Sequence, residues 1–201
     1  MPSIINASTS SGIVQTADTS GTLELQSAGT TKLTIASTGV SGTLVQGTAV
    51  ASTSGTSIDF TGIPSWVKRV TVNFQGVSTN STSNLLLQIG SGSISNTGYE
   101  SSSFSTNSTN TGSSAGYILT GFVAAASLYS GSAVINLVNS ATNMWVVSSI
   151  LGQGNSPSSQ GGLSFGGGYK ATSGALDRIR ITTVNGTDAF DAGTINIQYE
   201  G

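Results

Sequence analysis

The chain contains no cysteine and no histidine among its 201 residues. Without cysteine it can form neither a disulfide framework nor a thiolate metal site or nucleophile. Without histidine it lacks the commonest general base and metal ligand, and a Ser-His-Asp triad is impossible. These two absences exclude large classes of enzymes and metalloproteins, and we expect neither a cofactor nor a resident metal.

Charged residues are also scarce, at 7% of the chain, whereas they make up about 25% of typical globular proteins. Six Lys and Arg residues, in a chain of net charge −2, cannot neutralise the many phosphates on which nucleic-acid affinity depends. No apolar run approaches the roughly 18 residues of a membrane span. Residues 1–6 lack the basic and then apolar pattern of a signal peptide. We therefore expect synthesis in a cytosol and binding to neither nucleic acid nor a membrane.

The chain is rich in Ser, Thr and Gly and also contains many Asn and Val residues, and these five types favour strands and turns over helices. Apolar residues alternate with polar ones, as at Val70, Val72 and Phe74, where a helix would repeat them at every third or fourth position. The alternation predicts an all-β protein with these three side chains in its core. Trp145, in an apolar run, is a further core candidate.

Residues 47–201 are predicted to form one domain, a jelly-roll-like β-sandwich knob. The predicted strands span residues 48–60, 67–77, 84–91, 117–126, 132–138, 143–150, 162–170, 176–184 and 193–200. Two stretches rich in small polar residues, 92–116 and 152–162, are predicted to be long surface loops. The glycine run at 166–168 predicts a bulge or a close backbone approach.

Residues 1–46 form a distinct segment in which Ser-Gly-Thr-Leu at 20–23 recurs at 41–44. Short alternating strands are predicted at 23–26 and 32–35, separated by turns. Such a segment has too few apolar residues to bury a core alone, so we expect three copies to wrap around one axis or the segment to dock on another protein. A disordered polar tail is the alternative. The predicted trimer or anchor contacts are Ile13, Leu23, Leu25, Leu33, Ile35 and Leu44.

Catalysis has little support in the sequence. A glycosidase needs two carboxylates roughly 5 to 9.5 Å apart, and Asp188 and Asp191 are the nearest candidates. Asp188 follows the turn-forming residues 184–187, so we interpret both carboxylates as groups that cap a turn. Calcium binding by the same pair lacks a supporting motif. The prediction is that the protein is not an enzyme.

Carbohydrate binding is the stronger alternative, because sugar rings stack on exposed aromatic side chains. Tyr99 and Phe104 lie in the polar stretch 92–116 and are the best candidates for exposed aromatic contacts with a glycan. The competing interpretation is that both belong to a small apolar cluster that pins a long loop.

Two segments resemble a module of tailed-bacteriophage virion proteins, often tail-fibre or receptor-binding proteins. They are residues 55–72 (GTSIDFTGIPSWVKRVTV) and 190–200 (FDAGTINIQYE). The GTLELQ pattern at 21–26 is similar to shaft or anchor segments of trimeric phage fibres, although the region is much shorter here. The resemblance implies a β-sandwich knob, usually trimeric, that is presented on a virion.

The resemblance and the composition together predict a non-enzymatic structural protein on the phage surface. It would assemble in the host cytoplasm as a homotrimer, anchored through residues 1–46 to the major capsid protein or another virion protein. A capsid decoration or cement protein and a short fibre are both open placements. The alternative function is a tail-fibre receptor-binding protein, a glycan-binding adhesin that contacts the host surface.

Overall fold

The computed structural model describes residues 23–27, 29–36, 39–41, 44–106, 110–121, 123–125, 127–154 and 161–201. Over these ranges all regular structure is β, and the predicted fold class is confirmed. The chain forms two compact units, Met1–Thr43 and Leu44–Gly201. Among the residues described there is no helix with the length and apolarity to cross a membrane.

The strands of the described residues follow one another with short connections. They are β1 (Leu23–Ser27), β2 (Thr30–Ala36), β3 (Gly39–Ser41), β4 (Leu44–Gln46), β5 (Val50–Ala51), β6 (Ile58–Thr61), β7 (Arg69–Thr79), β8 (Leu85–Ser91), β9 (Ser93–Ile94), β10 (Glu100–Ser105), β11 (Thr111–Ser113), β12 (Tyr117–Ile118), β13 (Leu128–Asn139), β14 (Met144–Gly154), β15 (Gly162–Ala171), β16 (Arg178–Thr183) and β17 (Phe190–Glu200).

The first unit contains a three-stranded antiparallel sheet in the order β1-β2-β3. Its first two strands confirm those predicted from the alternation at 23–26 and 32–35. Gly29, between them, has a φ of 72°, which an L side chain rarely adopts and which glycine permits. The register sets Leu25 opposite Leu33.

The second unit is built from two antiparallel sheets, which we call the large and the small sheet. The large sheet has the order β11-β10-β15-β14-β13-β7-β17-β4, with β5 also paired to β17. The small sheet has the order β12-β8-β16-β6, with β9 paired to β8. This arrangement is consistent with the predicted β-sandwich, and the jelly-roll connectivity stays a prediction. Strand β4 pairs with β17, so residues 44–46 belong to this unit, whereas the expected boundary followed residue 46.

One apolar core joins residues of both sheets. Val70, Val72 and Phe74 on β7 are buried in it, as is Trp145 on β14, and all four were predicted to be core residues. Strand β8 and strand β16 supply Leu87, Ile179 and other buried aliphatic side chains from the small sheet. Burial of such side chains is the main stabilising contribution to a fold with so few charges.

The prediction of a loop over 92–116 is wrong, because β9, β10 and β11 lie within it. Of the strand predicted over 117–126, only the two residues of β12 form a strand among the residues described there. The inward positions of β10 are Ser101, Ser103 and Ser105, so this strand has no apolar period by which the sequence could reveal it. Of the loop predicted over 152–162, residues 155–160 lie outside the described part of the chain.

The glycine run on β15 marks a close backbone approach, as predicted. A Cβ on Gly166 would lie 2.7 Å from the carbonyl oxygen of Ile118, and one on Gly168 would collide with the carbonyl oxygen of Glu100. Gly167, between them, points the other way, and a Cβ there would lie 3.7 Å from its nearest neighbour, an ordinary contact. Only alternate glycines of the run are therefore required by packing.

We expect Gly168→Ala to lower the free energy of unfolding by about 1–3 kcal/mol, the usual cost of forcing extra volume into a packed site. The added methyl meets the backbone of β10, which cannot rotate away as a side chain could. Urea unfolding would measure the change. The matched control, Gly167→Ala, should stay within about 0.5 kcal/mol of the parent. Equal effects of the two substitutions would contradict the assignment.

Candidate functional site

Tyr99 is not the exposed aromatic contact that the sequence suggested. Its side chain is 2% exposed and packs edge-on against Tyr117, with ring centroids 5.0 Å apart. Its hydroxyl accepts a hydrogen bond from the Ile89 N–H (2.8 Å) and has carbonyl acceptors at Ser95 (2.9 Å) and Ile89 (3.1 Å). Tyr99 therefore tethers the segment after β9 to β8, and a glycan cannot stack on it.

Phe104 is exposed, as predicted, with 46% of its surface accessible. On β10 it pairs in register with Phe165 of β15, which pairs in turn with Ile150 of β14. Directly opposed side chains on neighbouring strands lie about 5 Å apart. Phe104, Phe165 and Ile150 thus form an unbroken row across three strands on the face of the large sheet that points away from the core.

Leu163, two residues from Phe165, extends this row along β15, and Tyr169 lies on the same face four residues away, beyond the gap left by Gly167. We call Phe104, Ile150, Leu163, Phe165 and Tyr169 the outer-face patch; all five are among the exposed large hydrophobic residues. A strand was predicted over 162–170, but the patch was not. Its signal in the sequence is that Ser164, Gly166 and Gly168 on one face of the strand are too small to fill a core, whereas the other face carries Leu163, Phe165 and Tyr169.

The outer face of β7 and β17 is polar. Across β7 and β17, Asn73 pairs in register with Asn196, and Arg69 pairs with Glu200. Arg69 and Glu200 also form an ion pair at 3.0 Å, with both side chains about half exposed. The large sheet therefore presents an apolar half, which contains the outer-face patch, and a hydrophilic half on the same surface.

Of the two carboxylates considered for catalysis or calcium, Asp191 lies exposed on strand β17 and not in the predicted turn, whereas Asp188 has structural partners. Asp188 is buried and accepts hydrogen bonds from the Ser83 N–H (2.9 Å) and from the Asn185 amide. Asn185 in turn accepts from the N–H groups of Thr187 and Asp188. Asp188 therefore holds the turn between β16 and β17. Within the described residues, no group of three or more acidic side chains could hold a metal ion.

Each of the three arginines forms an ion pair. Arg180 on β16 makes a two-pronged contact with Asp59 on β6, both bonds at 2.7 Å. Arg178 bonds Asp177 at 2.7 Å, and this hydrogen bond holds the pKa of the Asp177 carboxyl below its ordinary value against a smaller effect of desolvation. These pairs are solvent-exposed, a setting in which each contributes about 0–1 kcal/mol. They leave little unpaired positive charge on the small sheet.

The predicted anchor contacts separate between the two units. Leu23 and Leu25 lie on β1 and are 38% and 40% exposed, while Leu33 on β2 is partly buried. The backbone register places Ile35 opposite Leu23. Leu44 lies in the second unit on β4 and is exposed. Ile13 lies outside the described residues.

Tyr99→Phe should lower the free energy of unfolding by about 1–3 kcal/mol, because removal of the hydroxyl leaves the buried Ile89 N–H without its acceptor. Tyr169→Phe is the control, since Tyr169 is exposed and its hydroxyl leaves no buried group behind. Thermal or urea unfolding compares the two. A smaller loss for Tyr99→Phe than for Tyr169→Phe would refute the tether.

Stability should also fall in alkali. Burial raises the pKa of Tyr99 to about 12 and that of Tyr129 to about 12, and it raises the pKa of Tyr117 as well. In the unfolded chain a tyrosine has a pKa of about 10. Between about pH 10 and 12 the unfolded chain thus loses protons that the folded chain keeps, and the free energy of unfolding decreases.

Urea midpoints measured at about pH 9 and about pH 11 test this expectation, with the midpoint lower at the higher pH. The decrease should be smaller in Tyr99→Phe, which has one buried phenol fewer. A midpoint that does not change between the two conditions would show that these phenols ionise without opposing the fold.

Comparisons with known proteins do not assign the chain to a family. No family model matches it. No curated protein and no solved structure matches it either. The function must therefore be inferred from the residues, their geometry and the two segment resemblances.

Proposed function

We propose that this chain is a non-enzymatic structural protein on the surface of a bacteriophage particle. Residues 1–46 hold three copies together and anchor them to the major capsid protein or another virion protein. The β-sandwich forms the outward knob. The protein assembles in the host cytoplasm and becomes part of the virion, where it acts by shape complementarity and strand pairing without a catalytic step.

The observation that carries this proposal is the exposed apolar side of the N-terminal sheet. Leu23 and Leu25 alternate with Glu24, which is hydrogen-bonded with Gln26 and Thr31. Both leucines are more than a third exposed in a sheet of only three short strands. A sheet this small needs a partner for its apolar side, and further copies of the same segment supply one.

The segment resemblances favour a phage particle as the place of assembly. Residues 55–72 contain β6 and the first four residues of the long strand β7, while residues 190–200 are strand β17. Residues 69–72 of the first segment pair with residues 197–200 of the second, near the β4 end of the large sheet. The rest of the first segment includes the connection between β6 and β7, where Trp66 is exposed. The resemblance to virion proteins therefore covers strands of the knob and a connection at its surface.

Two placements on the particle fit this proposal. A short anchor with a single knob favours a capsid decoration or cement protein, and the labels of the resembling proteins favour a short tail fibre. Copy number separates the two. Quantitative gel analysis of purified particles should give hundreds of copies for a decoration protein and a few tens or fewer for a fibre.

A receptor-binding adhesin is a second candidate function, supported by the exposed aromatic rings of Phe104 and Phe165 beside each other. Aromatic faces of this kind stack on sugar rings. A glycan array would test it, with Phe104→Ala as the binding variant and Val184→Ala, an exposed apolar position outside the outer-face patch, as the control. Binding that is lost only in Phe104→Ala would favour the adhesin.

Light scattering should give a mass about three times the 20.1 kDa of one chain. Leu25→Ser should weaken the assembly about tenfold or more, because a polar group then enters the apolar contact between copies. Glu24→Gln, the neighbouring substitution on the same strand, should leave the mass unchanged. A monomeric parent protein would refute the trimer.

A further inference from the structure

The outer-face patch is unusual for the surface of this chain. Exposed apolar residues scattered singly are normal, whereas contiguous patches of several hundred Å² mark interaction sites. Here Phe104, Phe165 and Ile150 are register neighbours, with Leu163 and Tyr169 on the same face of β15. The patch lies in a protein whose other surfaces consist mainly of Ser, Thr, Asn and Gly.

The inner side of the same strands explains why the large side chains face outward. Ser103 and Ser105 of β10 and Ser164 of β15 are buried there, and Gly166 lies on the same side. The backbone after Gly116 lies directly on this small-residue surface, where the Ile118 N–H donates to the hydroxyl of Ser101 at 2.9 Å. No large side chain fits between these layers, so the apolar residues of β10 and β15 occupy the outer face.

The chemistry of the patch favours a protein over a sugar as its occupant. Ile150 and Leu163 are aliphatic and lie among the aromatic rings, whereas sugar sites combine flat rings with polar groups that bond the hydroxyls. No charged residue belongs to the patch. Glu100, opposite Tyr169, is a charged residue at its margin. Identical copies can therefore approach without repulsion between like charges.

The size of the patch matches what an interface between copies requires. A side chain of this kind has roughly 200 Å² of surface, and with about half of each exposed the patch offers about 500 Å² of apolar area. A standard interface buries about 800 Å² on each partner, of which about 57%, or roughly 460 Å², is apolar. The patch can thus form the apolar part of one such interface.

We propose that the outer-face patch packs against a second copy of this chain, so that the knob has a self-association surface of its own. The proposal rests on the homotrimer proposed above and specifies where the knobs meet. Residues near a threefold axis contact their own symmetry copies, so the row of Phe104, Phe165 and Ile150 would approach the same row of a neighbouring chain.

The absence of cysteine permits a clean test with the full chain, because an introduced thiol is the only one present. Ile150→Cys places this thiol in the row. A short bis-maleimide should then link two of the three chains of each trimer, which appear as a covalent dimer on a denaturing gel. Val138→Cys is the matched control: Val138 lies on the adjacent strand β13, is even more exposed, and lies outside the patch. It should remain monomeric on the gel.

A second variant tests the energetic role of the same face. Phe165→Ser should raise the concentration at which the assembly dissociates at least tenfold, measured by light scattering of a dilution series, while Val138→Ser should leave it unchanged. Exposed side chains contribute little to the fold itself, so the variants should unfold at the urea midpoint of the parent.

The outcomes separate this inference from the trimer. A trimeric mass without cross-linking of Ile150→Cys overturns the packing of the knobs and leaves the trimer intact, whereas a monomeric mass overturns both. A monomer that binds a glycan and loses binding in Phe165→Ser would show that the patch serves sugar recognition. Cross-linking in Ile150→Cys alone, together with weaker assembly of Phe165→Ser, supports the proposal.

Discussion

The backbone of residues 117–121 packs closely against the inner side of β10 and β15, and the structure of this part of the β-sandwich depends on that contact. Where a sandwich ordinarily places interlocking apolar side chains, this half of the large sheet places Ser and Gly under the chain from Tyr117 to Gly121. The interior there is too thin for Phe or Leu. The apolar core is displaced toward β7, β13, β14 and β17, and the large residues of β15 are displaced to the surface.

The same constraint decides what could be predicted from the sequence. Strand β7 was predicted well because Val70, Val72 and Phe74 alternate inward, so periodicity and burial agree. Strand β10 could not be found, since its inward residues are small and polar. Strand β15 was found, but alternation alone does not say which face is buried. The prediction that Tyr99 is exposed was wrong because its neighbours in the sequence are polar. In the structure its hydroxyl is buried and bonds three backbone groups.

The N-terminal unit shows a different limit. The alternation of Leu23 and Leu25 on β1 and the turn at Gly29 were sufficient to predict the two strands, and the structure pairs them as a hairpin. The sequence of one chain does not identify the surface that packs on the apolar side of this sheet. A sheet this short depends on such a packing partner for its stability. A sequence pattern can identify an apolar face. The side chains on that face and its exposed area then indicate which kind of molecule could bind there.

The two apolar surfaces place a joint condition on any assembly of this protein. With charged residues at 7%, the chain has little electrostatic repulsion to keep uncovered patches apart. Contacts at two different surfaces close into a finite oligomer only if both obey one symmetry axis, and otherwise they extend into open arrays. If the leucines of β1 and the row of Phe104, Phe165 and Ile150 each bind further copies, both contacts must therefore share one axis for the assembly to stay finite.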